Sequence, residues 1–153
     1  MAISSKPPVK KPSLKREIKI KYEDKSAGQP ELVLLFEEIK KLLLPYAKGS
    51  IKLHGGDKGK ILLVSEKKVE VAGRKKVEVW FASALAQKGY VGFYYMPVYM
   101  QPEKIKKMMQ PELLKCLKGK NCFHIKKADE VILAQIKDAL KFGYEYYKEN
   151  GWV

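Results

Sequence analysis

One stretch constrains this chain more than any other: KGYVGFYYMPVYM, residues 88–100. After Lys88 it carries no charge for twelve residues, in a chain where 31% of residues are charged. Tyr90, Gly92, Tyr94, Met96 and Val98 alternate with Val91, Phe93, Tyr95, Pro97 and Tyr99. An extended strand here is apolar on both sides, which predicts a central strand with packing over each face. The stretch marks the core without naming a function.

Around it the chain reads as helix, strands, short helices, strand, long helix. Leu32, Leu35, Phe36, Ile39 and Leu43 recur at helical spacing, so residues 30–44 form an amphipathic helix. Pro30 suits its first turn, Glu31 the positive end of its dipole, and Pro45 stops it. Residues 51–53 and 61–64 are candidate strands on either side of a turn at 54–59. Residues 69–71 and 77–81 alternate with period two around a turn at 72–74. Gln87-Lys88-Gly89 is a hairpin signal leading into the central strand. Pro102 and Pro111 each open a short helix, over 103–109 and 112–117, and Gly119 ends the second. Residues 121–126 form one more strand. Residues 128–148 form the last long helix, striped by Ile132, Ile136, Ala139, Leu140, Gly143 and Tyr147 and stopped at Asn150-Gly151. The result is an α+β fold, an antiparallel β-sheet packed by two long helices, with two short helices before the last strand.

At 153 residues the chain suits a single domain. Residues 1–26 combine Pro7, Pro8 and Pro12 with eight Lys or Arg against three acids and are expected to be a basic, flexible arm. Residues 27–153 then form the domain. Within the arm, residues 16–22 alternate weakly as a strand would, and the tail reading is preferred. Two cysteines are too few for a disulfide framework, and no segment has the apolar length of a signal peptide or membrane span. Free thiols, a cytoplasmic location and no membrane insertion are the expectation.

No constellation of catalytic residues emerges. His54-Gly55-Gly56-Asp57-Lys58-Gly59-Lys60 lacks both the first glycine and the closing hydroxyl of a phosphate loop, because His54 and Ile61 occupy those positions. HGG at 54–56 has no partner nucleophile turn. Cys122 and His124 share one side of a strand but sit ~6.5–7 Å apart along it, too far for a base to take a thiol proton. A zinc site from Cys116, Cys122, His124 and His54 has the wrong intervals. Glu37 and Glu38 point about 100° apart on a helix, and Asp129, Glu130, Asp138, Glu145 and Glu149 alternate with lysines as a solvated face does. No metal and no cofactor is expected.

Two features bear on binding. The formal net charge is +14, which attracts polyanions, although a lysine-rich surface also serves solubility alone. KGYVGFYY, residues 88–95, follows an RNA-recognition octamer at Lys88, Gly89, Tyr90 and Tyr95 but has Gly92 where the second stacking ring belongs.

The segments MPVYMQP (96–102), LLK (113–115) and GKNCF (119–123), with Tyr90-Val91 before them, resemble the YdhG-like family of unknown function. The likeness lies in a branch where a strand ending in MPVY is followed by short helices and a GKxCF turn. It covers roughly residues 76–150. It implies a small cytoplasmic α+β domain without established catalytic activity, some of whose relatives are frataxin-like proteins of iron delivery. The basic charge speaks against carrying that iron role over.

The leading expectation is therefore a non-enzymatic binding or accessory domain whose partner is a small ligand or a protein. The alternatives are a nucleic-acid or polyanion binder and a frataxin-like iron handler. Short helices are marginal alone and methionine packs adaptably. A ligand site is accordingly expected between residues 96–122 and the sheet, near Met96, Tyr99, Met108 and Lys120, unless those side chains finish the core.

Overall fold

The computed structural model describes residues 23–56 and 58–153. Most of the expected basic arm, including the candidate strand at 16–22, lies outside them. Residues 23–26 are described: Asp24 accepts hydrogen bonds from the Ser26 backbone and hydroxyl, and Lys25 reaches Gln87 at 3.2 Å.

Helix α1 spans Pro30–Leu43, with Pro30 in its first turn, Glu31 beside it and Lys40 and Lys41 at its C-terminal end. Its stripe of Leu32, Leu35, Phe36, Ile39 and Leu43 is buried. Pro45 does not stop the chain at once: a 3-10 turn, Leu44–Tyr46, carries it through. Proline suits such a turn because its fixed φ is near-helical and it has no N–H to satisfy.

Six strands then build one antiparallel sheet: β1 (Ile51–Gly55), β2 (Lys60–Ser65), β5 (Val79–Gln87), β6 (Tyr90–Tyr95), β7 (Leu117–Lys118) and β8 (Cys122–Ile125). Their order across the sheet is β1-β2-β5-β6-β8-β7. Strands β3 (Val69–Val71) and β4 (Arg74–Lys76) form a separate hairpin, so residues 69–71 pair with 74–76 and not with the expected 77–81, which lead into β5 of the main sheet. Ala72 and Gly73 turn the hairpin, both at positive φ (52° and 79°), the conformation that the tightest hairpin turns demand. Helix α5 closes the domain over Glu130–Glu149, and the side chain of its N-cap Asp129 accepts hydrogen bonds from Val131 and Ile132 N–H.

Three further local expectations are corrected. The apolar run is not one strand to its end: β6 stops at Tyr95 and Met96–Met100 is helix α2. Pro97 decides this, since it cannot donate to a strand ladder yet fits a helix's first turn. The small residues after Phe81 are not a connection but the body of β5. Ala82, Ala84 and Ala86 are at most 1% exposed, so the missing bulk lets α1 lie close on this strand. The second short helix ends at Leu114, and Leu117-Lys118 pairs with β8 instead.

Both long helices lie on one face of the sheet, over Ile61, Phe81, Phe93, Tyr95 and Phe123. Helices α3 (Pro102–Met108) and α4 (Pro111–Leu114) join them there. Ile105, Met109 and Leu113 are buried in the same core. Gln135 on α5 accepts from Leu113 N–H at 2.9 Å and donates to Glu112 at 2.7 Å. The short helices therefore pack beside α5 and do not close the sheet's other face. The long helices, α3 and α4 cover one face of the sheet only, although Leu62 and Val64 on the other face are themselves at most 1% exposed. Among those residues no helix is long and apolar enough to cross a membrane.

Candidate functional site

The helix-free face is assembled by strand alternation. A β-bulge in β5 sets its phase: Val64 faces Trp80, while Leu63 faces Ala82. Two consecutive residues, Phe81 and Ala82, thus turn toward the helices, and Trp80, Ser83 and Leu85 turn away. On β6 the outward set is Tyr90, Gly92 and Tyr94, and on β8 it is Cys122 and His124. Register places His54, Leu62, Ser83, Tyr94, Cys122 and Lys118 in one row across the sheet, and Lys60, Leu85, Gly92 and His124 in the next.

Rings dominate this face. Tyr90 stacks on His124 with centroids 3.9 Å apart and planes 13° off parallel. Burial, with Lys118 and Lys126 nearby, holds the His124 pKa below its ordinary value, so the imidazole in the stack is uncharged at neutral pH. Tyr94 leans back along its strand over Gly92, where an added Cβ would sit 3.0 Å from the ring. The space above Gly92 is thus occupied by the Tyr94 ring, two residues on. Trp80 is 36% exposed, and its indole N–H donates to Glu78 at 2.8 Å.

Between these rings lies a cavity of ≈ 330 Å³ lined by Trp80, Ala82, Ser83, Leu85, Tyr94, Met96 and Asn121. Burial and contact with the Cys122 thiol push the Tyr94 hydroxyl up to about 12, so it remains a hydrogen-bond donor at neutral pH. Of the four side chains expected near a ligand, only Met96 lines this cavity. Tyr99 and Lys120 flank a separate depression with Val98, Pro102, Lys106 and Gly119, the ammonium 5.8 Å from the ring centroid. Met108 is exposed on α3 and lines neither. No residue pattern announces the shared face of Trp80, Ser83 and Leu85, because it depends on the bulge in β5, and Asn121 joins them from the turn between β7 and β8.

The chemically reactive side chains do not converge. His54 sits on β1, four strands from Cys122, within 3.3 Å of Glu66 but without hydrogen-bond geometry. Among the described residues no three His, Cys, Asp or Glu side chains are placed to hold a metal ion. Burial raises the pKa of both thiols, with Tyr94 opposing the shift at Cys122. Only the thiolate attacks an alkylating agent. Iodoacetamide at pH 7 is therefore expected to modify Cys116 and Cys122 more slowly than free cysteine, and mass spectrometry showing either modified faster would contradict these environments.

No family model matches the chain, and no curated protein and no solved structure matches it.

Proposed function

We propose that this chain is a non-enzymatic binding domain that holds single-stranded nucleic acid on the helix-free face of its sheet. One observation carries the reading: Trp80, Tyr90, Tyr94 and His124 present rings on a single face that also carries Lys52, Lys60 and Lys118. Single strands are held by base stacking on such rings and by cations along the backbone. The net charge of +14 supports the same ligand through long-range attraction. A paired duplex keeps its bases inside its own stack and gains less from the rings. A YdhG-like accessory role and a cytoplasmic setting belong to the same proposal, supported by the MPVY and GKNCF segments. Iron handling has weaker support, since the face offers lysines where iron would want carboxylates.

The test is fluorescence anisotropy with a labelled single strand of about twelve nucleotides, within the usual range of site sizes. Binding should weaken steeply between about 50 and 200 mM salt. Trp80→Ala and Tyr90→Ala should each weaken it roughly tenfold, as loss of one stacking partner does. Absence of binding at the lower salt, or affinities unchanged in both variants, would remove the proposal.

A further inference from the structure

Resting on that reading, we propose that the cavity beside Trp80 receives one nucleobase of the bound strand, with Ser83 and Asn121 reading its edge. The chemistry of the lining points to a flat, edge-polar guest. Trp80, Leu85 and Met96 give apolar walls. Ser83 is only 7% exposed, lines the cavity, and makes no hydrogen bond through its hydroxyl to any described residue. Asn121 donates its amide N–H to the Met96 sulfur at 3.0 Å, a weak partner. Its side-chain carbonyl accepts from no described residue.

The Ser83 hydroxyl and the half-exposed Asn121 amide are thus free to pair with a guest in place of water. An acyl chain would fill the space and leave both unpaired. A bare phosphate would match the polar groups but not the walls. A base satisfies both, since its faces are apolar enough to lie on an indole and its edges carry donors and acceptors. The Tyr94 ring lines the same cavity, with its hydroxyl on the Cys122 thiol. Charge completes the match. Lys60 stands opposite Leu85 and Lys118 opposite Cys122 on the same face, on either side of the cavity, where they meet the phosphates flanking an inserted base.

The deciding experiment compares a base-bearing oligonucleotide with an abasic oligonucleotide of equal length, on the full chain and on Ser83→Leu and Asn121→Ala. Ser83→Leu fills the cavity, and Asn121→Ala removes the edge contact should the larger residue impair folding. The wild type should bind the base-bearing strand well over tenfold more tightly than the abasic one, since Tyr90 outside the cavity also stacks a base, and the variants should lose roughly tenfold of that preference while keeping the abasic affinity. Equal binding of both strands by the wild type overturns the stacking reading and the cavity assignment together, whereas a preference untouched by the variants overturns the cavity assignment alone. Failure of the base-bearing strand to bind overturns the surface reading. Saturation-transfer NMR with free nucleoside monophosphates then decides the cavity alone: a signal lost in the variants supports it, and no signal refutes it.

Discussion

Gly143→Ala is expected to destabilise the domain by about 2 kcal/mol, although alanine is the better helix former by about 1 kcal/mol. Gly143 lies within α5, opposite the junction of β6 and α2. A Cβ there would sit 2.9 Å from the Pro97 ring and overlap the Tyr95 hydroxyl. Tyr95 has no room to withdraw, being fully buried with its hydroxyl bonded to the Ala139 carbonyl. Overpacking of this kind typically costs 1–3 kcal/mol and sometimes more, so it outweighs the propensity gain. Thermal unfolding should show a fall of about 8 °C for a domain of this size. Because the clash is with the hydroxyl, Tyr95→Phe should restore part of the loss in a double-mutant cycle. A neutral or stabilising Gly143→Ala would mean that α5 does not press on β6 as described.

Trp152→Ala should cost more, about 3–5 kcal/mol, the usual range for removing a large buried aromatic. Trp152 is 8% exposed and lies edge-on to Tyr146 and Tyr147, at 5.6 and 5.1 Å between centroids. Its backbone is held as well: its N–H donates to Tyr147 and its carbonyl accepts from the buried Ser65 hydroxyl at 2.6 Å. Tyr147 in turn donates to the Trp80 carbonyl. The residue thus ties the end of α5 to β2 and β5. Against a total stability of roughly 5–15 kcal/mol, urea unfolding should register a large drop in midpoint, with Trp152→Phe retaining much of the stability. A change below about 1 kcal/mol would show that the last residues contribute no core.

Local patterns were strong enough to read the fold class from the residues. The stripes of α1 and α5 are amphipathic over many turns, and the hairpin signals between 54 and 89 imply neighbouring antiparallel strands. Reading failed where two rules competed. In Met96–Met100 an apolar run argued for strand, while Pro97 argued for a helix start, and the proline governs because a missing N–H is a fixed covalent fact. In β5 the run Ala82 to Ala86 lacks β-branched bulk and looks like a connection. It is a strand because a helix must lie close upon it, which is a demand of the partner rather than of the segment.

The site was less legible. Met96 lines the cavity and shares a neighbouring depression with Trp80 and Tyr99, Lys120 stands beside Tyr99, and Met108 is exposed on α3. The alternation of Tyr90, Gly92 and Tyr94 already placed those residues on one side. Which side would be left without helices depended on where α3 and α4 packed, and the buried Ile105, Met109 and Leu113 took them to α5.

What the residues determined alone was the kind of each long element, the antiparallel order of successive strands, and a basic surface, because periodicity, turn chemistry and charge act within a few residues. Tertiary structure decided the phase of the face. A single extra residue in β5 inverts every later side chain on that strand, and this is what brings Trp80, Ser83 and Leu85 beside Tyr94, Met96 and Asn121.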